Sequence, residues 1–157
     1  MALFQSAFLL SILLLSLSSS LIQASDINYC NNKANYDVKV NGVEISPYPV
    51  SRGVDTIFSI SASTGEAISE GKLMIDVSYF GFHIYSETDD ICSKTSCPVS
   101  AGDFVVSHSQ SLPIFTPPGT YSLTMKMEDG NKRQLTCIHF DFSIGFGATE
   151  AALAADM

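Results

Sequence analysis

YSLTMKMEDGNKRQLTCIHFDFSI, residues 121–144, decides the fold. Tyr121, Leu123, Met125 and Met127 alternate with Ser122, Thr124, Lys126 and Glu128, the period of two that sends successive side chains to opposite faces of a strand. Asp129-Gly130-Asn131 supplies turn residues, and Leu135 to Ile144 returns with Ile138, Phe140, Phe142 and Ile144 on one face. The two runs predict an antiparallel pair with a single apolar side.

The same alternation extends upstream. Asp37 to Ile45 alternates around Asn41-Gly42, the dipeptide favoured by tight hairpin turns, and predicts a hairpin there. Pro47 and Pro49 end that run, since neither can donate to a ladder. Val54 to Ala62 reads as a strand with Val54, Thr56, Phe58, Ile60 and Ala62 on one face, and Ser63 to Glu66 turns the chain. Lys72 to Tyr79 puts Leu73, Ile75, Val77 and Tyr79 together; Gly81 interrupts, and Phe82 to Tyr85 continues extended. The acidic segment Glu87 to Asp90 leads into a loop bracketed by Cys92 and Cys97. Phe104 to Val106 reads as a short strand ahead of the polar segment Ser107 to Ser111. Leu112 to Gly119 carries three large apolar side chains but too many prolines to pair regularly. No stretch from residue 26 to 147 keeps a helical period. Seven or so short strands with turns at this spacing predict an all-β sandwich or barrel.

Met1 to Ala24 carries no charged side chain, and Phe8 to Leu17 has the length of a signal-peptide core, followed by serines and a small residue at Ala24. Crossing a bilayer takes about 20 apolar residues, and Phe8 to Ile22 is shorter and broken by serines. The expected organisation is a signal peptide over 1–24, one domain over 25–147, and a flexible tail over 148–157. The expected route is the secretory pathway, ending outside the cell in the apoplast or in a vacuolar or endomembrane lumen.

Sixteen acidic residues against eight basic ones give a formal net charge of −8, which excludes nucleic acid as a partner because binding it needs Lys and Arg on the phosphates. Four cysteines suit an oxidising compartment and allow three pairings. One of these closes a very small ring between Cys92 and Cys97 and joins Cys30 to Cys137 near the two ends of the domain. A bridge closing a loop of about 100 residues is worth roughly 4.7 kcal/mol in loop-closure entropy. The Cys92/Cys97 spacing is long for a zinc ligand pair, with no histidine at finger spacing. Glu87, Asp89 and Asp90 lack the regular ligand spacing of a calcium loop and read as solvated. No metal or cofactor is expected.

Nucleophile elbows, metalloprotease helices and glycine-rich phosphate loops are missing from the sequence. His83, His108 and His139 lie far apart and read as surface or strand histidines, so an enzyme is not expected. Near pH 5 all three would protonate, given a reference value of about 6.5, easing docking on anionic membranes.

The order of these features carries a resemblance. An early Cys30 in Asn28-Tyr29-Cys30 is followed by Asp37-Val38-Lys39-Val40 leading to Ile45-Ser46-Pro47. A Cys-x4-Cys-Pro loop comes next, from Cys92 to Pro98, then Leu112-Pro113 and a late Cys137 in a Phe-rich strand. With Val77 to Phe82 and Thr116-Pro117-Pro118-Gly119, the chain resembles the MD-2-related lipid-recognition (ML) family over residues 26 to 146, in its plain two-disulfide plant form. That family includes Niemann-Pick type C2-like sterol carriers and phosphatidylglycerol/phosphatidylinositol transfer proteins.

The resemblance implies an immunoglobulin-like two-sheet β-sandwich with an apolar cavity between its sheets, splayed at one end to admit a lipid. It also implies the pairs Cys30–Cys137 and Cys92–Cys97. Its mouth would carry Phe82 and Ile84 on one side and Ile114 and Phe115 on the other. Lipid-facing positions on the strands are then Phe58 and Ile60, Val77 and Tyr79, Phe104, Leu123 and Met125, and Phe140 and Phe142. The expected function is holding a single sterol or phospholipid and transferring it between membranes as a monomer that touches membrane surfaces transiently. The alternative is a module that presents a lipid, or none, to a membrane receptor.

Overall fold

The computed structural model describes residues 26–146. The expected signal peptide over 1–24 and the expected tail over 148–157 lie outside the described residues. Eight strands follow in order: β1 (Asn28–Tyr29), β2 (Val38–Ser46), β3 (Asp55–Thr64), β4 (Gly71–Tyr79), β5 (Phe82–Asp90), β6 (Gly102–Ser111), β7 (Gly119–Asp129) and β8 (Gln134–Ile144). They form two antiparallel sheets, one ordered β1-β8-β7-β4-β5 and the other β2-β3-β6. Their facing sides bury the core.

Two expectations are corrected. Asn41-Gly42 makes no hairpin; β2 runs straight through it, with a register shift against β3 between Val40 and Gly42. The reason is visible in the parity of the apolar residues, which changes there. Val38 is buried ahead of the bulge, and Val43 and Ile45 after it. One extra residue swaps faces and keeps both halves apolar side inward. The Tyr29 hydroxyl accepts from the Val40 amide at 3.0 Å beside this irregularity. The short strand at Phe104 is likewise part of the ten-residue β6, which continues through the polar segment to Ser111. Its inward positions there, His108 and Gln110, line a cavity, so the pattern shows no apolar signal.

One flank of the sandwich is stitched by backbone. Val50, just after β2, donates to the Ser143 carbonyl at 2.8 Å and accepts from the Gly145 amide at 3.0 Å. The opposite flank is bounded by β5 and β6, the outer strands of the two sheets. There the Ser107 amide reaches the Lys94 carbonyl at 2.9 Å. Both disulfides are present, Cys30–Cys137 and Cys92–Cys97.

Candidate functional site: an apolar cavity between the sheets

The two sheets enclose a cavity of about 280 Å³, just under the range of roughly 300–1,000 Å³ usual for small-ligand pockets. Phe58 and His108 line it from the three-stranded sheet; Ile75, Val77, Leu123 and Phe142 line it from the five-stranded one. It opens between Ile84 and Tyr85 on β5 and Ser111 and Pro113 at the end of β6, all exposed. A second bulge explains the β5 side. Val77 pairs with Tyr85 and Ser78 with His83, so Ile84 is the extra residue, and both Ile84 and Tyr85 border the cavity.

An aromatic ladder leads from the cavity wall to the loop after β6. Phe58 meets Phe142 edge-on across the sheets at 5.5 Å, Phe142 stacks on Tyr121 at 5.6 Å, and Tyr121 stacks on Tyr79 at 4.4 Å. The two tyrosines end in hydroxyls that donate to the carbonyls of Pro117 (2.7 Å) and Pro118 (3.1 Å). Burial pushes the Tyr121 phenol above its ordinary pKa, so at neutral pH it keeps the proton it donates. Gly53 donates to the Leu112 carbonyl and Arg52 to that of Thr116, so the loop after β6 is held at both ends. Between those anchors Ile114 and Phe115 stand 77% and 83% exposed.

Phe80 in the β4–β5 turn and Phe82 at the start of β5 are also exposed, at 81% and 75%. Phe80 and Gly81 both have positive φ, at 49° and 79°. That conformation suits a two-residue hairpin but is uncommon for a bulky residue. A disfavoured backbone thus holds an apolar ring in solvent.

The strand positions named from the sequence divide by depth. Phe58, Val77, Ile84, Leu123 and Phe142 line the cavity. Ile60, Met125 and Phe140 are buried in the packed core outside the lining, each one inward position along its strand from a lining residue. Phe104 is half-buried opposite Ala62. Tyr79 is half-buried in the ladder, and Phe82, Ile114 and Phe115 are exposed and outside the lining. Ile75, Tyr121 and Ile144 line the cavity without having been singled out. They share the alternating faces that were read correctly, and their level along the strand was the missing information.

His108 is the larger surprise, because it is 4% exposed and lines the cavity. Burial pushes its imidazole below the ordinary pKa; Glu87 pulls it up, Lys94 presses it down and Asp89 pulls it up, and burial prevails. Burial thus opposes charging of His108, whereas His83 and His139 are exposed. The unfolded chain takes a proton at this position before the folded one does. The associated stability is complete above the unfolded value of about 6.5 and is lost as pH falls from there to the lower folded value. His108→Gln should flatten the fall in unfolding free energy below pH 6.5, measured by urea titration. An unchanged slope would contradict a buried neutral imidazole.

Solved structures share this architecture. A Niemann-Pick type C2 protein from Japanese carpenter ant superposes with a TM-score of 0.61 at 13% identity, covering 76% of this chain and 99% of the other. Chicken MD-1, crystallised with lipid IVa, gives 0.50 at 14% identity, over 74% and 87%. These likenesses show an immunoglobulin-like sandwich. In sequence, the chain is 35% identical over 139 residues to a Dictyostelium discoideum protein provisionally named a phosphatidylglycerol/phosphatidylinositol transfer protein, covering 82% of this chain and 92% of that one. It is 31% identical over 119 residues to the Arabidopsis thaliana MD-2-related lipid-recognition protein ROSY1, covering 71% and 72%. With the family model described as the ML domain matching residues 24–144, the chain belongs to the ML-domain family.

Proposed function

We propose that this protein holds one phospholipid, with acyl tail in the cavity and headgroup at the mouth, and carries it between membranes. The observation that carries this reading is an apolar cavity opening between β5 and the loop after β6, with exposed Ile114 and Phe115 lying in sequence between the lining residues Pro113 and Thr116, and exposed Phe82 two residues from the lining Ile84. Each methylene leaving water for such a cavity gains about 0.8 kcal/mol. A tail leaving a bilayer gains almost none, so loading and unloading stay near balance once the mouth touches a membrane. The exposed apolar side chains are what bring it there, as large apolar patches commonly mark interaction sites. The names of the relatives, which include phosphatidylglycerol/phosphatidylinositol transfer, support phospholipid as the cargo. Two disulfides suit an oxidising compartment.

Lipid extracted from natively purified protein and identified by mass spectrometry tests the cargo, with stoichiometric phospholipid expected. Vesicle-to-vesicle transfer of a fluorescent phospholipid tests the carrier role, and a lipid-free protein that moves nothing would leave an interaction module as the reading. Ile114→Asp should slow transfer at least about tenfold, since an anionic group resists entry into the interface, while leaving Tm within about 2 °C. A large fall in Tm would show that Ile114 supports the fold instead.

A further inference from the structure

The seam between β5 and β6 is closed by charged side chains. Past the Ile84 bulge, Tyr85, Glu87 and Asp89 share one face of β5; Glu87 and Asp89 are half-buried and reach toward β6. Asp90 belongs to the other face and accepts from the Cys92 amide at 2.7 Å, which splits the acidic trio considered from the sequence. Opposite stands His108, its side chain 5% exposed. Its Nε2 lies 3.6 Å from Glu87 Oε2 and its Nδ1 lies 3.8 Å from Asp89 Oδ2, both beyond hydrogen-bond length. Among the described residues neither His108 Nδ1 nor Asp89 Oδ2 has a hydrogen-bond partner. The Lys94 ammonium comes within 3.1 Å of Asp89 Oδ2 without hydrogen-bond geometry.

Two carboxylates thus meet one ammonium and a buried imidazole, in a seam largely removed from water. Excess negative charge there is unfavourable unless a cation balances it. One ligand atom from each of Glu87, Asp89 and His108 can be chosen so that all lie within 4.8 Å of one another. Around a tetrahedral ion with bonds of about 2.0–2.2 Å, ligand atoms sit roughly 3.4 Å apart, so small side-chain movements complete the geometry.

We propose that Glu87, Asp89 and His108 form a zinc(II) site that joins the outer edges of the two sheets beside the cavity. One imidazole and two carboxylates, with a fourth position for water, is a donor set zinc accepts. Calcium takes six to eight oxygens, more than this cluster offers. The Tyr85 hydroxyl donates to Glu87 Oε2 at 2.9 Å and would orient that ligand from outside, as outer-sphere groups do. Lys94 competes with the ion for Asp89.

The test is titration of the chelator-treated, disulfide-intact protein at pH 7.5, with Zn²⁺ by calorimetry and with Co²⁺ by visible absorption. The expected result is one equivalent of either ion, with the absorption intensity of a four-coordinate cobalt site. His108→Gln should lose both signals. Tyr85→Phe should weaken binding by about 10- to 100-fold, and Lys94→Gln should strengthen it. Absence of saturable binding overturns the proposal, as does binding that survives His108→Gln. Should His108→Gln fail to fold, the other two variants decide, because isotherms unchanged in both overturn it equally. None of these readouts depends on lipid.

Discussion

Val77→Phe is expected to empty the cavity of lipid while leaving the fold intact. Val77 is half-buried on the cavity wall, paired with Leu123 on β7 and Tyr85 on β5. Larger side chains in a filled core usually cost about 1–3 kcal/mol through strain. Here the added ring carbons enter existing space, so Tm should move by only a few degrees. Displacing about three methylenes of tail removes roughly 2.4 kcal/mol of burial, an affinity loss of roughly fiftyfold. Co-purifying phospholipid, quantified by mass spectrometry against protein, should fall accordingly. Wild-type lipid content in a stably folded Val77→Phe protein would show that the cargo sits elsewhere.

The second large effect concerns stability. The Cys30–Cys137 bridge spans 107 residues of sequence and Cys92–Cys97 spans 5. Loop-closure entropy assigns about 4.7 kcal/mol to a loop of the first length and roughly 2 kcal/mol to one of the second. Cys30→Ser with Cys137→Ser should therefore lower the unfolding free energy by more than twice as much as Cys92→Ser with Cys97→Ser, measured by urea denaturation. Cys30 follows β1, whose two residues pair in the sheet with β8. Equal losses from the two pairs would mean that local geometry, not closure of the long loop, sets their worth.

Alternation made most of the sandwich legible. The faces of β4, β7 and β8 follow from Leu73 to Tyr79, Tyr121 to Met127 and Ile138 to Ile144 without any structural help. Alternation fixes a face but not a height along the strand. Ile60, Met125 and Phe140 share the inward faces of Phe58, Leu123 and Phe142 yet lie outside the lining, which alternation does not distinguish. Bulges hid the rest: Asn41 imitated a turn, and Ile84 reset the phase so that the polar Glu87 and Asp89 share a face with Tyr85. A polar stretch at a cavity wall carries no apolar alternation, so the sequence shows only the Phe104 to Val106 part of β6 as strand and not its continuation through His108.

The anchoring of Pro117 and Pro118 by two tyrosines has a last consequence. A segment pinned by Tyr79, Tyr121 and Arg52 cannot swing across the opening as a lid does. For an acyl tail held in the cavity as proposed, escape into water would then slow about fourfold with every added methylene. Retention would be graded by chemistry rather than switched by movement, with long-chain lipids kept through an aqueous crossing and short ones spilled on the way.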